Sequence, residues 1–156
     1  MKKLFFIVIV ATSFFACQSS TKPTFDLSNA KKEIEAANQE ISELLAKGDS
    51  VGMVGAYSSD GAAMVANSPA IKDKNQLKSI WNSFVQSGNT NLKLNTMEVW
   101  GDENFISEEG TYELKSKEGN QVDKGKYIVI WKKENGKWKL HRDMSSSDLP
   151  LTPKGK

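Results

Sequence analysis

The sequence predicts an α+β domain in which helices pack on one face of a curved antiparallel sheet. Segments with helical periodicity come first along the chain, and segments with strand character fill its second half. Helices followed by a run of strands favour this class over an alternating α/β fold. The clearest stretch is Gly125–Met144, where two strands flank Asn135-Gly136, a dipeptide typical of tight β-hairpins.

Three segments are predicted to be helical. Between Leu27 and Lys47, apolar residues recur every three or four positions, which is the spacing of an amphipathic helix. A shorter helix is expected after Gly48, with Tyr57 on its apolar side. The third helix is expected to begin near Asp73, because Asp is a good N-terminal cap, and to end before Gly88.

Five strands are expected. A short strand at Ala62–Ala66 follows a turn at Asp60-Gly61. In Tyr127–Trp131 both faces are apolar, which indicates that one face joins the core and the other contacts a partner subunit. The four later strands form a meander, predicted at Leu92–Trp100, Phe105–Lys117, Gln121–Lys133 and Lys137 to about Ser146.

Short motifs around these elements occur in a characteristic order. They are Ala46-Lys47-Gly48-Asp49, Tyr57-Ser58-Ser59-Asp60, Gly101-Asp102, Glu108-Glu109-Gly110-Thr111-Tyr112, Gly125-Lys126-Tyr127, and Gly136-Lys137-Trp138-Lys139-Leu140 with Asp143. With them the chain resembles the NTF2-like superfamily, in its DUF4440 or SnoaL-like branch related to ketosteroid isomerase. The resemblance covers about Ala30 to Asp148. It implies a cystatin-like cone, a curved sheet wrapped around a long N-terminal helix and two further helices, with a pocket at its mouth and often a homodimer through the sheet.

The N-terminal residues are typical of a bacterial secretory signal. Two lysines precede an apolar stretch that is shorter than the roughly 20 residues of a membrane-spanning helix. A buried N-terminal helix is the alternative. The segment Phe14-Phe15-Ala16-Cys17 resembles a lipobox, which implies that Cys17 is lipidated. Because Gln18 is not the Asp of an inner-membrane retention signal, the resemblance favours the outer membrane of the cell envelope.

The predicted organisation therefore has four parts. Residues 1–16 are the signal peptide, residues 17–25 the lipidated cysteine and a tether, residues 26–148 the NTF2-like domain, and residues 149–156 a tail.

Composition argues against several functions. The chain has 21 basic and 19 acidic residues. Cleavage of the predicted signal would remove two lysines and no acid, which leaves 19 of each. This balanced charge gives no support for nucleic-acid binding. His141 is the single histidine and Cys17 the single cysteine, and no phosphate-binding or dinucleotide-binding motif is present. The sequence therefore predicts no metal and no cofactor.

The resemblance also bears on isomerase chemistry. Relatives with that activity carry a carboxylate base on the first strand, a Tyr on the first helix and a second carboxylic acid on a late strand. The matching positions are Ile41 for the Tyr, Met64 or Val65 for the base, and Ile128 for the second acid, and all are apolar. An isomerase of that kind is not expected.

Ligand-binding candidates follow from strand parity. Glu108 and Tyr112 share one face of their strand, and Arg142 shares one face with Trp138 and Leu140. If both faces are concave, Glu108 and Arg142 point among apolar residues. One interpretation is structural: the two side chains form an ion pair that seals the core, or Arg142 extends to the rim of the cone. The other is functional: they form a pocket dyad in which the planar guanidinium group of Arg142 binds a carboxylate or carbonyl of a ligand.

Further candidates have equally open roles. Tyr57, Trp81 and Trp100 are predicted to contact a ligand, with ordinary core packing as the alternative. His141 and Asp143 are predicted on the opposite face of the last strand. There they belong either to the polar rim of a dimer interface or to the plain surface, or they form a His–Asp acid–base pair. Because of this last alternative they are the weak candidates for catalytic residues.

Three functions remain open. The favoured one is a lipid-anchored envelope domain that binds a small, partly apolar ligand in its cone and dimerises through its sheet, without catalysis. The second is a SnoaL-like enzyme acting on a hydrophobic small molecule, using Glu108, Arg142, His141 or Asp143. The third is a protein-interaction module whose cone is filled and whose apolar sheet face recruits a partner.

Overall fold

The computed structural model describes residues 25–88 and 90–150, so the predicted signal peptide, Cys17 and most of the tether and tail lie outside the described residues. The predicted α+β class is confirmed. The elements are α1 Leu27–Lys47, α2 Ser50–Gly55, β1 Tyr57–Ala63, α3 Lys74–Gln86, β2 Asn91–Gly101, β3 Phe105–Lys115, β4 Gln121–Glu134 and β5 Lys137–Ser147. Within the described ranges, no helix is both long enough and apolar enough to span a membrane.

Each helix begins at an aspartate cap. The side chains of Asp26, Asp49 and Asp73 accept hydrogen bonds from backbone N–H groups in the first turns of α1, α2 and α3. These bonds satisfy donors that have no partner within a helix. Gly48 caps the C-terminus of α1, and its φ of 71° is the left-handed conformation that glycine adopts without steric cost.

The five strands form one sheet in the order β1-β5-β4-β3-β2. Strands β2 to β5 are antiparallel neighbours, and β1 joins β5 in parallel. The hairpin between β4 and β5 turns at Asn135 and Gly136, which both have positive φ, as a tight hairpin requires. Helix α1 packs mainly against β2 and buries the apolar stripe that the sequence predicts, so the core lies between the helices and the concave face of the sheet.

The first strand begins earlier than predicted. The sequence placed Tyr57 on the second helix and a turn at Asp60-Gly61, but β1 runs through all three residues. Its register with β5 shifts between Tyr57 and Ala62. A Cβ at Gly61 would lie 2.6 Å from the carbonyl oxygen of Leu140, so the Asp60-Gly61 pair lets the two backbones approach closely instead of reversing the chain.

Strand β5 contains an extra residue. Trp131 of β4 pairs with Leu140, but Ile130 pairs with Arg142, which leaves His141 as a β-bulge. Because side chains alternate between the two faces of a strand, the insertion exchanges the faces for the rest of β5. Asp143 therefore lies on the concave face and Arg142 on the outer face. The parity prediction, which placed Arg142 on the concave face with Leu140 and Asp143 opposite, is wrong for this reason.

Candidate functional site

The cone encloses a cavity of about 300 Å³ between the helices and the sheet. Most of its wall is apolar and comes from every layer of the fold: Ile41 of α1, Met53 of α2, Leu77 and Phe84 of α3, and Val129 and Leu140 of the sheet. Two acids, Asp123 and Asp143, also line it. Among the described residues that form this wall, none is Lys, Arg or His.

Tyr57 and Asp143 form a hydrogen-bonded pair in this wall. Tyr57 begins β1, and the bulge at His141 directs Asp143 to the same cavity. The Tyr57 hydroxyl donates a hydrogen bond to Asp143 Oδ2. Burial raises the pKa of Tyr57 well above its ordinary value, and the charge and hydrogen bond of Asp143 raise it further, so the phenol stays protonated and acts as the donor.

Asp143 is poorly supplied with partners. Burial raises the pKa of its carboxyl group above the ordinary value, although the hydrogen bond from Tyr57 acts in the opposite direction. In the described part of the chain, Oδ1 makes no hydrogen bond. A carboxyl group with a raised pKa and an open oxygen can bind a polar group of a ligand, and it can also accept or donate a proton.

A second Tyr–Asp pair lines another part of the cavity. The Tyr112 hydroxyl donates to Asp123 Oδ2 at 2.8 Å, and Asp123 Oδ1 accepts from Ser147 Oγ and the Lys124 backbone N–H. Burial acts to raise the pKa of Asp123, but these three hydrogen bonds outweigh it, so the net pKa is lowered. Both oxygens of the Asp123 carboxylate therefore accept hydrogen bonds from the protein, whereas only one oxygen of Asp143 does.

Glu108 lies behind the cavity wall and is fully buried. Its Oε1 accepts from Asn38 Nδ2 at 2.7 Å, Thr96 Oγ1 at 2.6 Å and the Tyr127 hydroxyl at 2.7 Å, and its Oε2 accepts from Trp131 Nε1 at 2.8 Å. Four donors from α1, β2 and β4 therefore converge on one side chain of β3. Asn38 and Tyr127 also line the cavity, so this network holds part of its wall in place.

The predicted ion pair between Glu108 and Arg142 is not formed. Arg142 donates instead to the backbone oxygens of Asp60, at 3.0 Å, and His141, at 2.6 Å. The β5 bulge sends Arg142 to the outer face, and neutral donors surround Glu108 in its place. The predicted pocket dyad is wrong for the same reason.

Three of the predicted ligand-binding residues, Tyr57, Tyr112 and Trp81, line the cavity. Glu108, Arg142 and Trp100 do not; Trp100 is 43% exposed on the outer face of β2. The buried Nε1 of Trp81 has no acceptor in hydrogen-bonding geometry within the described residues. Burial raises the pKa of the Tyr57 hydroxyl, and the nearby Trp81 Nε1–H group has a smaller effect in the opposite direction.

His141 lies beside Ser58 and Asp60, but not as a catalytic triad. Ser58 Oγ and Asp60 Oδ1 both lie 3.3 Å from the same ring nitrogen, Nδ1, so no proton relay through the two nitrogens of the ring is arranged. The Lys132 ammonium, 2.9 Å from Asp60 Oδ1, helps to lower the pKa of Asp60 to about 2. The proposed His141–Asp143 pair is not formed, because Asp143 bonds to Tyr57 on the other face.

The positions matched to the isomerase residues do not all face the cavity. Ile41 and Val65 line the cavity, whereas Ile128 is on the outer face. Asp143, one of the two acids of the cavity, lies on β5, the strand that pairs directly with β1, near which the base was expected. The available sequence signal was the run of polar residues from His141 to Asp143, which breaks the alternation after Leu140 and is compatible with a bulge.

No group of three or more His, Cys, Asp or Glu side chains in residues 25–88 and 90–150 is arranged to hold a metal ion. No family model matches the chain, and no curated protein matches it.

Solved structures match about three quarters of the chain. A protein of unknown function with a cystatin-like fold from Nostoc punctiforme has a TM-score of 0.67 and 21% identity, covering 79% of this chain and 93% of that one. A ketosteroid isomerase-like protein from Erwinia carotovora has a TM-score of 0.63 and 21% identity, covering 76% and 96%. An NTF-2 like protein of unknown function from Shewanella oneidensis has a TM-score of 0.62 and 15% identity, covering 74% and 98%.

The chain has the NTF2-like, cystatin-like cone fold. Similarity at these identities establishes the fold of the chain alone. The placement in the DUF4440 or SnoaL-like branch stays a prediction.

The Glu108 network yields a stability prediction. Glu108→Gln replaces one acceptor oxygen by an NH₂ group, which then faces a donor in either orientation of the amide. We expect the free energy of unfolding to fall by about 2–3 kcal/mol, the cost of a buried donor left without an acceptor. Urea unfolding measures this change.

The matched control is Glu109→Gln, which makes the same substitution one residue along β3 at an exposed position. We expect it to alter stability by less than about 0.5 kcal/mol. Equal stabilities of the two variants would contradict the structural role assigned to Glu108.

Proposed function

We propose that this domain binds a small, largely apolar ligand inside its cone, with a polar group of the ligand at the Tyr57–Asp143 pair. The observation that carries the proposal is the cavity of about 300 Å³ in which Asp143 Oδ1 has no partner among the described residues. A mostly apolar cavity with a few directed polar groups is the usual form of a small-molecule site. Asp143 is half-buried, so its open oxygen faces the cavity and can accept a hydrogen bond from a ligand.

The packing of the cone supports this proposal over the interaction module. That alternative predicted a filled cone, closed by aromatic side chains. Trp81 and Phe84 do pack together edge to face, with ring centroids 5.9 Å apart, but they form part of the wall of a cavity. Trp138 lies elsewhere, where its Nε1 donates to Glu33 at 2.8 Å.

Blocking the cavity tests the proposal. Val65 lines the cavity and is 45% exposed, so Val65→Trp adds bulk without disrupting the buried core. We expect the affinity for the uncharged dye N-phenyl-1-naphthylamine to fall at least about tenfold, because the indole occupies volume that the dye needs. Fluorescence titration of residues 18–156 measures the affinity.

Val51→Trp is the matched control, since Val51 is 62% exposed on α2 and does not line the cavity. We expect this variant to bind the dye as the unmodified domain does. Absence of dye binding to the unmodified domain, or equal binding by both variants, would overturn the proposal. Circular dichroism verifies that each variant is folded.

We also propose a homodimer through the outer face of the sheet. Trp100, Phe105 and Ile128 leave apolar surface exposed on this face, on three adjacent strands. Exposed apolar surface that spans several strands is typical of an interaction site. Arg142 lies on the same outer face and supplies a polar group for the rim.

Ile128→Lys tests the dimer. A lysine at this position would replace apolar contact area by a charged group that loses its hydration in the interface, even with Glu109 opposite it on β3, so we expect the dimer dissociation constant to rise by roughly 100-fold. Sedimentation velocity measures the distribution of monomer and dimer. Val51→Lys introduces the same charge elsewhere and should leave the dimer intact; a monomeric unmodified domain would refute the interface.

We further propose that Cys17 carries a lipid that holds the domain at the bacterial cell envelope, in the outer membrane. The support is the lipobox-like Phe14-Phe15-Ala16-Cys17 behind a short apolar segment. Several acyl chains together would give stable anchoring, because each buried CH₂ contributes about 0.8 kcal/mol.

Metabolic labelling tests the anchor. In bacteria fed an alkyne-tagged fatty acid, the full chain should become labelled and sediment with membranes, and the Cys17→Ser variant should lose both properties. An unlabelled chain in the cytoplasm would contradict the proposed location.

A further inference from the structure

We infer that the ligand of the cone is a lipophilic amine, bound as its ammonium ion by Asp143. The inference rests on the proposed function, since it requires that the cavity binds a small molecule. It adds the charge and the hydrogen-bonding character of the ligand's polar group, which the apolar shape of the cavity alone does not specify.

The charge of the cavity wall is the first argument. Asp123 and Asp143 line the cavity, and no described residue of the wall carries a positive charge. A carboxylate ligand would enter an apolar space beside two acids without a counterion. An ammonium ion would instead be attracted by both acids, and a low local dielectric strengthens that attraction.

The contrast between Glu108 and Asp143 is the second argument. Both are acids on the concave side of the sheet, but Glu108 accepts four hydrogen bonds and Asp143 accepts one. The protein thus satisfies the carboxylate that lies behind the wall and leaves open an oxygen of the one that lines the cavity. A ligand ammonium would supply both a donor and a counter-charge, whereas a neutral alcohol would supply a donor alone.

Nearby cations and rings complete the argument. The Lys74 ammonium lies 5.9 Å from the centre of the Tyr57 ring and donates to the Ser58 carbonyl oxygen at 2.7 Å, and it does not line the cavity. No cation contributes to the pKa of Asp143, which burial raises. The rings of Trp81 and Phe84 also belong to the wall, and aromatic faces stabilise a desolvated ammonium ion.

Three probes of similar shape separate the possible ligand charges. They are 4-phenylbutylamine, 4-phenylbutanol and 4-phenylbutyrate, titrated calorimetrically into residues 18–156 at neutral pH. We expect the amine to bind at least about tenfold more tightly than the alcohol, because a charge-assisted hydrogen bond replaces a neutral one. We expect the acid to bind more weakly than the alcohol.

Two variants assign the selectivity to Asp143. Asp143→Asn keeps the shape of the side chain and removes its charge, and we expect it to reduce the preference for the amine over the alcohol to about threefold or less. Glu109→Gln removes one negative charge from the exposed face of β3 and should leave the preference unchanged. An amine preference that survives Asp143→Asn would overturn the assignment.

The remaining outcomes separate this inference from the proposed function. If the alcohol or the acid binds as tightly as the amine, the inference is wrong and the ligand-binding function stands. If none of the three probes binds, and N-phenyl-1-naphthylamine also fails to bind, both are wrong. If the dye binds and none of the three probes does, the function stands and the amine is refuted as the ligand class.

Discussion

The extra residue in β5 is the constraint on which the candidate site depends. Side chains on a strand alternate between the two faces, so one inserted residue reassigns every position that follows it. His141 is that residue, and it directs Asp143 to the cavity and Arg142 to the outer face. Without the bulge, strand alternation would place Arg142 on the concave face and Asp143 on the outer face.

The carboxyl groups of Glu108 and Asp143 differ in how many hydrogen bonds they accept from the protein. Glu108 receives donors from three other elements and thereby connects α1, β2, β3 and β4 around one buried point. Asp143 has the Tyr57 hydroxyl and an open oxygen. The first arrangement contributes to stability, because each donor would be unsatisfied without the carboxylate. In the second, the hydrogen bond from Tyr57 offsets only part of the electrostatic cost of burial, which is typical of a functional position.

Much of the fold was predictable because the relevant signals are local. The cap at Asp73 and the Asn135-Gly136 turn act within a few residues of chain, and the structure confirms both of them. Tyr57 was misassigned because helix α2 is short and its apolar spacing continues into β1. At that position the pairing with Leu140, a contact distant in sequence, determines the conformation.

The amino-acid sequence by itself determined the α+β class, the order of the elements and the apolar character of the cone, since periodicity and turn chemistry are properties of neighbouring residues. The tertiary structure alone decided which polar side chains enter the cavity. Tyr57 and Asp143 are 86 positions apart and meet because β1 joins β5 in parallel beyond the bulge. A bulge depends on how two strands pair, and the sequence of one strand does not specify that pairing. The position of Asp143 in the cavity is therefore set by the register between β4 and β5.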